Sequence, residues 1–146
     1  MATKLFDSTV IRGVQEAMDF ITNVLESSTE YSLIGKDLEG KILLWNEGAR
    51  RLYGCEPEEI IGKANSVILH TPEDAQAGKH REILELALCN GKWEGMLDRV
   101  RKSGEQFTAG VVITPRCDTT GRAVGFLLIS LAARSRWSPS LCLRAS

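Results

Sequence analysis

An α+β fold is predicted for this chain by three observations. Two short apolar runs, 31–37 and 41–45, face each other across a glycine-containing turn and read as a hairpin. The stretch 46–90 carries helix starts and stops. Three long strand-like runs then close the chain, at 92–101, 105–115 and 122–132. Strands and helices come in runs, the pattern of an α+β domain.

Composition narrows the function classes. A chain of 146 residues is one domain with a single core, and 43% hydrophobic with 25% charged residues is ordinary for a globular protein. A net charge of −1 gives no reason to expect nucleic acid or an anionic membrane as partner. No apolar run approaches the roughly 20 residues that span a bilayer. The N-terminus has no apolar signal core, so a cytoplasmic protein is expected. Cys55, Cys89, Cys117 and Cys142 are far apart with no C-x-x-C, which predicts free thiols in a reducing compartment and neither a zinc site nor a disulfide framework.

The first segment, 7–25, reads as a helix capped by Asp7 or Ser8. Val10, Val14, Ala17, Met18, Ile21 and Leu25 share one stripe, with Arg12, Glu16, Asp19 and Asn23 opposite. Such a stripe serves equally a helix packed on its own domain and one paired with its twin in a dimer. The polar run 26–30 ends it. The hairpin turn is Asp37-Leu38-Glu39-Gly40, with glycine free to take a positive φ. Asn46 is placed to cap a short helix that stops at Gly54. Pro57 followed by Glu58 and Glu59 starts another, stopped at Gly62. A further helical turn over 64–69 would turn Val67, Ile68 and Leu69 inward. Thr71-Pro72-Glu73-Asp74 starts a long helix running to Cys89 or Asn90, weakened but not broken at Gly78 and stopped at Gly91. His80, Ile83, Leu84 and Ala87 share one face of it. Within the last strands, 111–113 and 126–129 are too apolar for edge positions and should lie centrally or against another subunit.

Gly40, Ile42, Asn46, Ala49, Gly54, Glu58 and Gly62, followed by Trp93-x-Gly95 and Arg101-Lys102-x-Gly104, stand in the order and spacing of a known family. The chain resembles the PAS sensory domain over about residues 22–132. That resemblance implies a five-stranded antiparallel sheet of order 2-1-5-4-3, helices over one face, and a ligand cavity between them. It divides the chain into a flanking dimerisation helix (1–25), the PAS domain (26–133) and a poorly ordered tail (134–146). It also favours a homodimer through Val10, Val14, Met18 and Ile21. An effector domain of the same parent chain, for example a bacterial sensor histidine kinase, would receive the signal.

No catalytic arrangement is legible: G-x-S-x-G, the phosphate-binding loop and H-E-x-x-H are all absent from the sequence. This predicts a non-enzyme. The resemblance leaves three occupants for the cavity. Heme is one, because His80 lies near the family's iron-ligating histidine, although the arginine that steadies bound oxygen would fall at Gly95. Flavin is another: light-sensing relatives carry a reactive cysteine where Asn65 stands here, but redox flavin domains carry a tryptophan like Trp93. The third is a small apolar ligand, or none, in a pocket lined by Leu33, Ile68, Leu84, Met96, Phe126 and Leu128. The predicted site is thus His80, Trp93, Met96, Leu84, Ile68, Phe126 and Leu128, with no metal, and the cofactor unassigned.

Overall fold

A computed structural model describes residues 8–133. The tail expected over 134–146, the first seven residues and the side chain of Val10 lie outside the described residues. Helix α1 (Val14–Ser27) leads into strands β1 (Ser32–Asp37) and β2 (Ile42–Trp45). Helices α2 (Glu47–Tyr53) and α3 (Pro57–Ile60), a 3-10 turn (Ser66–Leu69), and helices α4 (Pro72–Gln76) and α5 (Lys79–Asn90) follow. Strands β3 (Trp93–Val100), β4 (Gln106–Cys117) and β5 (Ala123–Ala132) complete one antiparallel sheet of order β2-β1-β5-β4-β3. The predicted order holds, and the two most apolar strands, β4 and β5, lie centrally as expected.

Local chemistry explains most boundaries. At the hairpin, Asp37 Oδ1 accepts from the N–H groups of Glu39 and Lys41, and Gly40 turns with φ 95°. Asn46 caps α2 through the Ala49 N–H, and Gly54 stops it in the left-handed region. Glu56 and Glu59 form a reciprocal capping box on α3.

Three expectations need correction. The first helix begins at Val14, not near Ser8, with only a 3-10 turn over Ser8–Val10 before it. Gly13 is a poor interior helix residue and becomes the extended N-cap, while Glu16 reaches back to the Arg12 N–H at 3.0 Å. The long helix after Thr71 is two helices, because Gly78 adopts φ 75° and separates α4 from α5. In the 3-10 turn it is Ser66 and Leu69 that are buried, while Ile68 is 49% exposed. A 3-10 turn repeats every three residues, so Ser66 and Leu69 eclipse and Ile68 cannot share their side.

The break at Gly78 yields a first prediction. Nothing lies within 4 Å of where a Cβ on Gly78 would sit, so Gly78→Ala meets no clash and isolates the cost of a left-handed alanine. A loss of about 1 kcal/mol in a urea melt is expected. A stabilised variant would mean that α4 and α5 fuse readily into one helix.

The core lies between the helices and one face of the sheet. Ile34, Trp45, Tyr53, Leu97, Val111, Ile113, Phe126 and Leu128 meet Leu69, Ile83, Leu84 and Ala87 there. The other face carries Leu33, Leu44, Met96, Val112, Leu127, Ile129 and Leu131, none of them fully buried. Helix α1 buries none of its residues.

Candidate functional site

The space between sheet and helices is not wholly apolar. Lys36 on β1 and Arg99 on β3 are each only 1% exposed, both on the sheet's inner face. Each falls two residues beyond a core position, Ile34 and Leu97, so the strand alternation that buries those residues also buries the two cations. Ser66 and His70, at either end of the 3-10 turn, and His80 near the start of α5 complete the cluster.

The hairpin and the 3-10 turn hold one another in place. Ser66 N–H donates to the Gly40 carbonyl at 2.8 Å, and Asn65 Nδ2 donates to the Glu39 carbonyl at 2.9 Å. A Cβ on Gly40 would lie 2.9 Å from Asn65 Oδ1 and 3.0 Å from His80 Cε1, so the turn requires glycine for space as well as for φ. His70 is tied to Arg99 by an isolated antiparallel bridge.

The side chains then form a chain of contacts. Lys36 Nζ donates to Ser66 Oγ at 2.9 Å, and Ser66 Oγ lies 2.6 Å from His80 Nε2. Ser66 thus bridges Lys36 and His80, accepting from the first and sharing a proton with the second. The His70 and His80 rings meet edge to face at 5.4 Å. Burial, then Arg99, push the Lys36 pKa down to about 7. His70 is pushed down to about 3 by burial, then by Arg99, His80, Lys36 and Lys79. His80 falls to about 4 through burial, Lys36 and Arg99. Both imidazoles are therefore neutral at pH 7.

What the cluster lacks is an acid. Among the described residues no aspartate or glutamate pairs with Lys36 or Arg99. Arg99 Nε, Arg99 Nη1 and His70 Nδ1 are buried with no hydrogen-bond partner. Nor does any group of three or more His, Cys, Asp or Glu side chains there converge as a metal site would need.

Beside the cluster, a half-open cleft of about 430 Å³ is lined by Leu38, Glu39, His80, Arg81, Leu84, Glu85, Leu88 and Phe126. His80, Leu84 and Phe126 of the predicted site come together here. Leu128 is buried in the adjoining core, and Trp93 is half-buried against that core, its ring over Gly95. Ile68 and Met96 do not join them. Met96 is 37% exposed and stands opposite Gly110 on the outer face, because Trp93, Gly95 and Leu97 take the inward positions of β3. Leu33 is likewise on the outer face, opposite Ile129. His80 Nε2 is already engaged by Ser66. Sequence reasoning missed Lys36, Arg99, Ser66 and His70. The signal that was present was a cation in phase with buried strand positions.

Similarity to known proteins bears on this site. Residues 29–131 match the family described as PAS domain. The chain is 35% identical over 123 residues to "Two-component system protein A" of Emericella nidulans, covering 84% of this chain but only 18% of that protein. A crystal structure of the PAS domain of a protein from Colwellia psychrerythraea superimposes with a TM-score of 0.73 at 25% identity, covering 82% of this chain and 99% of that one. Two further structures share the fold. One is a light-oxygen-voltage domain studied with a flavin analogue, with a TM-score of 0.64 at 21% identity and coverage of 88% and 96%. The other is a PAS domain, in complex with ethanol, from a LuxR-family transcriptional regulator of Burkholderia thailandensis. It gives a TM-score of 0.62 at 15% identity and covers 75% of this chain and 95% of that one.

Proposed function

Because the chain belongs to the PAS domain family, we propose that it is the sensory module of a longer two-component signalling protein, taking a small ligand between sheet and helices and relaying its state to an effector domain of the same parent. The observation that carries this reading is the buried Lys36–Arg99–His70 cluster with unpartnered polar atoms. A core whose only task is stability does better with apolar side chains at such positions. The module performs no catalysis of its own, and a cytoplasmic sensor histidine kinase is the parent that fits this role. The similarity to a two-component system protein supports a two-component parent.

The relay runs through a homodimer. Val14, Met18 and Ile21 on α1 are 78%, 55% and 53% exposed, an apolar stripe that a twin helix would cover. Ligand binding would shift the population between two packings of that interface. Light scattering on the eluting protein should give a dimer for the wild type and a monomer for Ile21→Asp. A wild type that stays monomeric at high concentration would remove the dimer from the scheme. An absorbance scan of the same sample tests for heme or flavin.

A ligand-free interaction scaffold is the rival reading, and the apolar outer face of the sheet favours it. Mass spectrometry of a denatured extract separates the two: a co-purified small molecule supports the sensor.

A further inference from the structure

The geometry points to a compact monocarboxylate as the ligand, its anionic head held by Lys36 and Arg99 and its apolar body lying along Leu84, Leu88 and Phe126. This identification rests on the reading of the domain as a ligand sensor.

Two cations removed from water within reach of each other's charge are costly unless an anion joins them. The described chain brings none. Lys36 has one hydrogen bond, to a neutral hydroxyl, and two nitrogens of Arg99 have no acceptor at all. A carboxylate between them would accept charge-assisted bonds, roughly twice as strong as neutral ones. It would also restore Lys36 to its charged form. The cleft supplies the other half of the molecule's shape. His80 and Phe126 wall the cleft and also border the cluster, His80 through Ser66 and Phe126 with its ring centroid 5.9 Å from Lys36 Nζ. Beyond them the cleft is apolar at Leu84 and Leu88, with Glu39 and Glu85 outweighing Arg81 among its charged side chains. That balance disfavours a second negative group on the ligand body. Hence one carboxylate on a short apolar or aromatic body fits, and a dicarboxylate does not.

Binding would also reach α5. A carboxylate that draws Lys36 Nζ from Ser66 weakens the Lys36–Ser66–His80 chain that ties β1 to this helix.

Sodium benzoate, its neutral isostere benzamide and inorganic phosphate, at constant ionic strength, are the probes. Calorimetry and thermal melts on the intact chain are the readouts. Benzoate should raise the melting temperature and bind about tenfold more tightly at pH 6 than at pH 8.5, because Lys36 is charged only below about pH 7. Lys36→Met should lose at least about tenfold in affinity while melting cooperatively, and Lys36→Arg should keep most of it. Equal stabilisation by benzamide, or by benzoate in the wild type and Lys36→Met alike, overturns the carboxylate assignment, as does stabilisation by phosphate alone. A neutral apolar molecule co-purifying with the chain also overturns it but leaves the sensor reading standing. A chain that binds no probe and carries no molecule overturns both.

Discussion

Replacing Asn46 by alanine is expected to cost about 4 kcal/mol, a large part of a small domain's stability. Its side chain is 2% exposed and makes four hydrogen bonds. Oδ1 accepts from Leu33 N–H at 2.8 Å and Ala49 N–H at 2.9 Å, while Nδ2 donates to the Ser28 and Tyr31 carbonyls at 3.0 Å each. Asn46 is therefore more than a cap. It joins the end of α1, the start of β1 and the start of α2. At about 1 kcal/mol per bond, with backbone groups then left unpaired in a crowded junction, the sum exceeds an ordinary cap deletion. The junction cannot close over the gap by sliding, because Gly48 already sits so near that a Cβ there would lie 2.0 Å from the Tyr31 carbonyl oxygen. Asn46→Asp separates the two halves of the amide. It keeps the oxygen that accepts both N–H bonds, which favour the charged form, but turns its second oxygen toward two carbonyls in a buried site. That burial and repulsion outweigh the two bonds and raise its folded pKa above the unfolded value. Its deficit should therefore grow as pH rises from about 4 toward neutrality. Urea melts at pH 5 and 8 read both effects. A loss under about 1 kcal/mol for Asn46→Ala would show that the junction is held by packing instead.

The second large effect has the opposite sign. Lys36→Met should stabilise the ligand-free protein by about 2 kcal/mol at pH 6. The substitution removes a desolvated ammonium and its repulsion with Arg99, and it forfeits one hydrogen bond, to Ser66. Methionine follows the same path along the inner face. The pH dependence identifies the cause. Lys36 has a folded pKa lowered to about 7 from 10.5, so between those values the unfolded chain holds a proton that the folded chain does not. Stability of the wild type must rise with pH across that window, and the full cost is felt below it. The advantage of Lys36→Met should thus be greatest at pH 6 and shrink by pH 9.5. His70 and His80, whose pKa values are also lowered, weaken the folded state as pH falls below about 6.5. They are present in both proteins, so their main contribution cancels in the comparison. A variant less stable than wild type at pH 6, with an unchanged pH slope, would mean that Lys36 is not charged at a cost in the folded state.

The two residues differ in how far the sequence reveals them. Asn46 was legible as a helix cap because capping is decided within four residues of chain. That it also bonds to Leu33, Ser28 and Tyr31 was not, since those partners lie 13 to 18 residues away. Lys36 stood in the sequence only as a member of the strand run 31–37, with nothing local to single it out.

The sequence by itself determined the α+β class, the hairpin at Gly40, the stops at Gly54 and Gly91, the helix starts at Pro57 and Thr71, and the central place of the two most apolar strands. Each follows from backbone preference or hydrophobic period, which act over a few residues. Only the tertiary structure decided which face of β3 looks inward, and with it the outward place of Met96. It alone parted α4 from α5 at Gly78 and turned Ile68 to the surface. It also set Lys36 and Arg99, 63 positions apart in the chain, into one dry space with no acid from the described residues paired to either. The energy of a buried charge depends on what the whole fold brings within a few ångströms of it, and no local stretch of sequence contains that information.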